Sequence, residues 1–85
     1  MDLTREQKGR RAQEILEDSV FVEVVDTVRT SILTQWNLTD FDQMAARESL
    51  YHQGRALDEI LRELRTLVAD WAINRSRKQT KKGRG

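Results

Sequence analysis

The stretch that decides the fold is residues 46–71, which read ARESLYHQGRALDEILRELRTLVADW. Apolar or small residues recur along it at intervals of 4, 4, 3, 4, 3, 4 and 3 residues. This rhythm is close to the 3.5-residue repeat that sets one helix face against a neighbouring helix. It predicts a long helix C, from about residue 41 to residue 74, with one continuous packing seam. The seam residues are Ala46, Leu50, Gly54, Leu57, Leu61, Leu64, Val68 and Trp71.

Other residues of helix C bear on how it packs. Ile60 and Leu67 widen the apolar stripe, as a helix in a bundle requires. Gly54 costs about 1 kcal/mol in mid-helix relative to alanine. Either another backbone approaches closely there, or a long helix simply tolerates the glycine. Asp58 and Arg62 stand four residues apart, a spacing that favours an ion pair on the flank.

A second helical rhythm precedes the seam and predicts helix B, from about residue 20 to residue 36. β-Branched residues are frequent here, which favours a strand. Strand alternation, however, would bury Asp26 together with Val24 and Val28, whereas a helical period gathers only apolar side chains on one face. That face consists of Phe21, Val24, Val25, Val28, Ile32 and Trp36.

Helix A is predicted over about residues 5–17. Thr4 and Gln7 have the spacing of a capping box, in which each side chain bonds the other residue's backbone. Gly9 weakens the first turns of this helix. Asp18 or Ser19 is the candidate break and the N-cap of helix B.

Residues 37–40 predict the turn between helices B and C. Asn37 suits the left-handed C-terminal position, and Thr39 or Asp40 can cap the next helix. Asp40 and Asp42 would then lie in the first turn of helix C, where acid suits the helix dipole.

These elements predict an all-α fold in which helix C folds back antiparallel on helix B. The region near Leu57 would lie opposite the break at Asp18, and helix A would lie along the far end of helix C. The preferred architecture is therefore a long helix backed by two shorter ones. A continuous A–B helix in a two-helix hairpin is the alternative. Residues 1–74 form the helical domain, and residues 75–85 form a disordered basic tail.

Composition limits what so short a chain can do. Its 85 residues form one domain whose core is marginal. There is no cysteine, and His52 is the single histidine, so disulfides and cysteine- or histidine-based metal sites are excluded. No apolar run approaches the ~20 residues that span a bilayer, and residues 1–6 are polar and acidic, unlike a signal peptide. We expect a soluble intracellular protein, without membrane contact, that gains stability from a homo-oligomer or a larger partner.

An enzymatic activity is not expected, because a helical hairpin has little room for converging polar groups of tuned pKa. The carboxylate pairs Glu17/Asp18 and Asp40/Asp42 are interpreted as helix-end charges, and His52 as a solvated residue. We therefore predict no catalytic residue, no cofactor, no metal and no small-molecule substrate.

Trp36 and Trp71 stand near opposite ends of the predicted layer of helices B and C. Tryptophan there is interpreted as core, or as an anchor of an interface, since this residue is enriched where binding energy concentrates. The predicted surface for self-association or a partner comprises Leu50, Gly54, Leu57, Leu61, Leu64, Val68, Trp71 and Trp36.

Charge is divided sharply along the chain. Residues 1–74 hold 9 Lys/Arg against 14 Asp/Glu, a net of −5, whereas residues 75–85 hold 6 cations and no acid. Such a tail can neutralise phosphates without reading sequence, or bind an acidic protein surface, or act only as a solubilising or import segment. Arg5, Lys8, Arg10 and Arg11 form a weaker basic cluster that would lie near the root of the tail. The predicted contacts of the tail are Arg75, Arg77, Lys78, Lys81, Lys82 and Arg84.

Several segments of the chain share a recognisable pattern. They are RAQEILE at residues 11–17, the apolar stretch ending in Trp36, a Thr-Asp turn, ARESLY at residues 46–51, and Leu57 and Leu64 in a long helix. In these features the chain resembles a family of short uncharacterised helical proteins encoded by tailed bacteriophages. The likeness spans about residues 10–72 and implies a minor structural or assembly component encoded among head and packaging genes. It implies no catalytic residue, and the basic tail has no match in the pattern.

Two main functional hypotheses follow. The first is a phage structural or assembly protein, such as a virion, portal, capsid-associated or scaffold-like component, located in the virion or the host cytoplasm. The second is a small nucleic-acid-binding helical hairpin, either associated with packaging or similar to Rop in dimerising into a four-helix bundle. A host-takeover inhibitor is a third class, which no residue directly favours.

Overall fold

The computed structural model describes the backbone of residues 4–84 and the side chains of residues 4–73. The described backbone forms three α-helices and contains no strand. The predicted all-α fold, with a long C-terminal helix, is confirmed. The backbone of the last helix continues to Arg84, so its predicted end near residue 74 is wrong. The side chains of the predicted basic tail, residues 75–85, lie outside the described region, and the disorder of the tail stays a prediction. The helices are α1 (Arg5–Glu17), α2 (Ser19–Leu38) and α3 (Met44–Arg84).

The start of α1 is the predicted capping box. The backbone N–H of Gln7 donates to the Thr4 hydroxyl oxygen at 3.1 Å, and the backbone N–H of Thr4 donates to Gln7 Oε1 at 2.9 Å. These bonds satisfy two donors that a helix N-terminus otherwise leaves to water. The predicted beginning of the helix at Arg5 is confirmed.

Asp18 separates α1 from α2. Its backbone is extended (φ −67°, ψ 124°), and its N–H donates to the carbonyl oxygen of Ile15 at 3.2 Å. Its carboxylate accepts the backbone N–H of Phe21 at 2.9 Å, which caps α2. One residue therefore ends the first helix and starts the second. The predicted break is confirmed, and the alternative of one continuous A–B helix is wrong.

The valine-rich stretch of α2 is helical, as its period predicted. Phe21, Val25 and Ile32 are half-buried on the face toward α3, whereas Val24, on the edge of that face, is exposed. The periodicity thus prevails over the strand propensity of β-branched residues, because the helix gathers its larger apolar side chains on one side.

The turn after α2 is formed differently from the prediction. Asn37 lies inside the helix, and no non-glycine residue in the described backbone has a positive φ, so the left-handed ending is wrong. Thr39 ends the helix instead, in an extended conformation. Its backbone N–H and its hydroxyl both donate to the carbonyl oxygen of Trp36, at 3.1 and 2.7 Å.

The start of α3 also differs from the prediction. Gln43 closes the turn on Asp40, because the Asp40 N–H donates to Gln43 Oε1 at 2.7 Å and the Gln43 N–H donates back to the Asp40 carbonyl at 3.0 Å. The helix therefore begins at Met44 and not near residue 41. Asp40 and Asp42 precede the helix, and their predicted place in its first turn is wrong.

α1 and α2 form one bent arm that runs antiparallel to α3. The molecule is an elongated layer of 65 × 25 × 23 Å, which agrees with the predicted arrangement of a long helix backed by two shorter ones. The two arms meet where Gly9 lies against Trp71, where Arg29 pairs with Asp58 at 3.1 Å, and where Arg47 reaches Thr39 at 2.8 Å.

α1 approaches α3 closely at Gly9, which is buried. A Cβ built on Gly9 would overlap the Cβ of Trp71 and stand 2.9 Å from the carbonyl oxygen of Leu67. At Gly54, by contrast, an added Cβ would meet no atom within 4 Å. The close approach of another backbone at Gly54 is therefore wrong, and the long helix simply tolerates this glycine.

The core is small. Among the described residues, the buried apolar side chains are Ala12, Leu50 and Leu61, and α2 contributes none. Ala12 lies one turn after Gly9, and two small residues at this spacing let α1 approach α3 closely. Burial of apolar area is the main favourable term in folding, so a core of this size provides little of it.

Candidate interaction surfaces

The predicted seam of α3 is largely used within the chain. Leu50 and Leu61 are buried beneath the bent arm, whereas Ala46 and Ile60 are exposed. The other predicted interface residues of α3 therefore have only part of their surface free for another molecule. Half-buried are Gly54, Leu57, Leu64, Val68 and Trp71, and also Leu67, which widens the stripe.

Both tryptophans occupy the ends of the layer, but in different surroundings. Trp71 is half-buried against α1 at Gly9. Trp36 is 38% exposed at the turn end, and the guanidinium carbon of Arg47 lies 4.9 Å from the centroid of its ring. Each tryptophan thus packs between helices while keeping part of its ring exposed. The exposed part of Trp36 is available to contact another molecule.

Arg47 holds the turn together, and the sequence analysis gave it no structural role. Its Nε donates to the hydroxyl oxygen of Thr39 at 2.8 Å, and one of its terminal nitrogens donates to the Thr39 carbonyl at 3.3 Å. The same guanidinium covers Trp36 at a distance typical of a cation–π contact. An arginine eleven residues after a tryptophan and eight after a threonine has no sequence signature, because the contact depends on the turn between them.

An apolar groove runs along one side of the layer, between α2 and α3. Its volume is about 350 Å³. Two of its lining side chains are largely exposed, Leu33 at 63% and Tyr51 at 56%. Gly54 also lines the groove, and a Cβ added there would meet no atom within 4 Å. Its lining consists of Ile32, Leu33, Trp36, Leu50, Tyr51, Gly54, Arg55 and Asp58.

Further apolar side chains are exposed outside the groove, on all three helices and in the turn. Phe41 in the turn is 85% exposed, the most exposed of them. Large apolar patches on a soluble chain mark surfaces that meet another molecule. The set comprises Ile15, Val20, Val22, Val24, Val28, Leu38, Phe41, Met44, Ile60 and Ile73.

The ion pairs of the described region are superficial. Asp58 accepts from Arg29 on α2 rather than from Arg62 as predicted, and both side chains of the pair are about half-exposed. His52 lies 3.6 Å from Glu48, four residues earlier on α3, with both side chains exposed. The interpretation of His52 as a solvated residue agrees with this position. Exposed pairs of this kind contribute at most about 1 kcal/mol each.

No group of three or more His, Cys, Asp or Glu side chains within residues 4–73 is placed to hold a metal ion. The carboxylates of Glu17 and Asp18 lie at the helix break, where Asp18 acts as the cap. Across the helices that the structure describes, no segment has the combination of length and hydropathy needed to cross a bilayer.

The basic cluster of α1 lies at the end of the layer where the tail begins. Arg5, Lys8, Arg10 and Arg11 are all exposed, and neighbouring Gly9 fixes this turn of α1 beside Trp71. Trp71 stands four residues before the tail begins, and the proximity of the cluster to the tail's cations stays a prediction. The side chains of the tail residues themselves lie outside the described region.

Comparison with known proteins adds no relative: no protein-family model, no curated protein and no solved structure matches the chain.

Proposed function

We propose that this chain is a structural or assembly protein of a tailed bacteriophage, acting in the virion or in the host cytoplasm. It acts by packing its helices on further copies of itself and on a larger phage assembly. Catalysis has no part in this proposal. The resemblance over residues 10–72 supports the phage context, and the open apolar surface supports the mode of action.

The observation that carries the proposal is the imbalance between buried and exposed apolar side chains. Three apolar side chains are buried in the described region, whereas large apolar residues are exposed along all three helices. A chain of this size without disulfides ordinarily gains stability from a partner. A second layer of helices placed on the groove would remove Leu33 and Tyr51 from water, which is favourable at roughly 25 cal/mol per Å².

The first experiment measures association in solution. Light scattering across a range of protein concentrations should give a mass above the 10.0 kDa of the monomer. The second applies mass spectrometry to purified virions and procapsids of the phage that encodes the chain. Absence of the protein from both kinds of particle would contradict the assembly role, whatever its mass in solution.

A second candidate function is a small nucleic-acid-binding hairpin, either packaging-associated or a Rop-like dimer. The specific observation that favours it is the set of six cations over residues 75–85, without a single acid. Lys and Arg that neutralise phosphates release counterions, so the affinity falls steeply as salt rises. Deleting residues 75–85 should abolish most of this binding. DNA affinity that is unchanged by the deletion would eliminate this candidate.

A further inference from the structure

The layer has two broad sides, and charged residues line the grooves of one of them. The apolar groove and a second groove meet on this side at the ion pair between Arg29 and Asp58. The charged residues that line these two grooves are Asp26, Arg29, Arg55, Asp58 and Arg65. A third groove between α2 and α3 is different, because none of its described lining residues is charged. It is lined by Gln35, Leu38, Thr39, Gln43, Ala46, Ser49, Leu50 and Gln53.

The third groove opens on the opposite side of the layer. Successive residues of an α-helix are turned by about 100°, so residues two apart point in nearly opposite directions. On α3, Tyr51 lines the apolar groove and Gln53 lines the third groove. On α2, Leu33 and Gln35 are divided between the two grooves in the same way. Leu50 borders both grooves because it is buried between the helices.

From the third groove, one uncharged stripe continues along each helix. Its residues follow one another at spacings of three or four, which keeps them on one side of the helix. We call the two stripes together the uncharged face. Its exposed or half-buried residues are Val24, Val28, Ser31, Gln35 and Leu38 on α2, and Ala46, Ser49, Gln53, Leu57, Ile60, Leu64, Leu67 and Trp71 on α3.

The uncharged face is large enough for a stable dimer. From Ala46 to Trp71 the stripe of α3 is about 38 Å long, and two adjacent helices are about 20 Å wide. The face therefore covers roughly 760 Å², close to the ~800 Å² that each partner contributes to an interface of standard size. The cores of homodimer interfaces are apolar and poor in charged residues, as this face is.

The stripe of α3 can also oppose itself. Its end residues, Ala46 and Trp71, have the same midpoint as Gln53 and Leu64, between residues 58 and 59. A second copy turned by 180° about an axis through this point would run antiparallel and set Gln53 against the second copy's Leu64. The same surface then serves on both chains, as a two-fold interface requires. No charge becomes buried by this contact.

The two ends of the layer carry opposite charge, which favours the antiparallel order. Residues 4–14, at the start of α1, hold four cations and two acids, a net of +2. Residues 30–50, around the turn, hold one cation and three acids, a net of −2. An antiparallel second copy brings each basic end beside an acidic turn, with Lys8 of one chain near Asp42 of the other. A parallel copy would bring like charges together, which opposes association.

We infer that the uncharged face binds a second copy of the chain in antiparallel order, which gives a dimer two layers thick. This inference rests on the proposed function and deepens it, because it names the surface and the orientation of the self-packing. The apolar groove lies on the outer side of such a dimer, where it stays open to further copies or to the larger assembly. A foreign protein would require neither the symmetry of the stripe nor the opposite charges of the two ends.

The first test adds a charge to the uncharged face and measures the mass of the full chain by light scattering over a range of concentrations. Ile60→Glu alters a side chain that is 58% exposed, so the variant should keep the wild-type helicity in circular dichroism. It should raise the dissociation constant of the dimer at least about 100-fold, because each dimer would bury two unpaired carboxylates. The matched control, Thr66→Glu, adds the same charge at an exposed position of α3 outside the stripe and should keep the wild-type mass.

The second test measures the orientation by cross-linking, since the chain has no cysteine of its own. Under mild oxidation, an equimolar mixture of Gln53→Cys and Leu64→Cys should form a covalent dimer of the two variants. Either variant alone should form little, because two copies of one position lie about 17 Å apart along antiparallel helices, beyond the ~7 Å that a disulfide spans.

Equal masses of Ile60→Glu and Thr66→Glu would overturn the assignment of the face. Cross-linking of each cysteine variant with itself, and not in the mixture, would overturn the antiparallel order. A wild type that stays monomeric would mean that another protein covers the face, and would also overturn the inference. In each of these cases, detection of the protein in virions would leave its assembly role intact. A covalent dimer of a protein that is absent from all particles would contradict the proposed function alone.

Discussion

At the scale of single residues, Gly9 and Gly54 show that the role of a helical glycine depends on what packs against it. Both are helical, and both carry the same intrinsic cost in a helix. Gly9 faces Trp71 and the carbonyl oxygen of Leu67, so its missing side chain sets the distance between α1 and α3. Gly54 faces open groove. From the sequence alone, Gly54 is the better candidate for a close helix contact, because it lies within the apolar seam of α3.

The same substitution should therefore have opposite effects at the two glycines. Gly54→Ala should raise the free energy of unfolding by about 1 kcal/mol, because it improves helix propensity and meets no atom. Gly9→Ala should lower it by about 1–2 kcal/mol, because the overlap with Trp71 forces the helices apart. Urea denaturation followed by circular dichroism, at one protein concentration, gives both values. A stabilising Gly9→Ala would show that α1 does not approach α3 this closely.

Arg47 contacts Thr39 and Trp36 across the turn between α2 and α3. Arg47→Ala should lower the free energy of unfolding by about 1–3 kcal/mol, since it removes two charge-assisted hydrogen bonds and the cover of Trp36. Arg62→Ala, an exposed arginine of the same helix outside the groove, serves as the control and should change stability by less than about 0.5 kcal/mol. The measurement is again urea denaturation. Equal effects would mean that the clamp around Thr39 contributes nothing to stability.

At the scale of elements, the described helices depend on tertiary contacts to different degrees. α1 is capped at Thr4 and packs closely through Gly9 and Ala12. α2 has no buried residue, although its sequence is the most apolar of the three helices. Isolated helices of this length are marginal in water. Hence α2 relies on its caps, and on whatever covers its exposed side chains, more than α1 does.

The cap at Asp18 is where this dependence can be measured. Asp18→Ala should lower the free energy of unfolding by about 1 kcal/mol, because the Phe21 N–H loses its acceptor. Asp18→Asn keeps a side-chain oxygen at the same position and should stay near the wild type. Thermal and urea unfolding measure both. If Asp18→Ala leaves stability unchanged, a continuous helix through the break has replaced the cap.

At the scale of the whole molecule, the described helices form a single layer, in which α1 and α2 lie beside α3. No further described element covers the two faces of this layer. Residues on either side of the packing plane, such as Leu33 on the groove and Ile60 away from it, stay in contact with water. The sequence predicts that the incompletely covered apolar surface is the seam of α3. Leu50 and Leu61 are covered within the chain, whereas much of the surface that is left open belongs to α2.

A charge placed in the groove should therefore prevent association. Leu33→Glu should shift the mass measured by light scattering toward the 10.0 kDa monomer, since a buried unpaired carboxylate is costly. The control is Thr34→Glu, which adds the same charge one residue further on, on the outward face of α2. Thr34→Glu should keep the wild-type mass. If the two variants have the same mass, the groove is not the surface of association.

The sequence by itself determined the all-α class, the start of α1 at its capping box and the candidate break at Asp18 or Ser19, because these depend on caps and periodicity within a few neighbouring residues. It also determined the charge of the tail and the resemblance on which the phage proposal rests. Tertiary structure alone decided that α1 approaches α3 closely at Gly9, that Arg47 bonds Thr39 across the turn, and that α2 keeps many of its apolar side chains exposed. Each of these depends on distances between residues far apart in the chain, which no local pattern encodes.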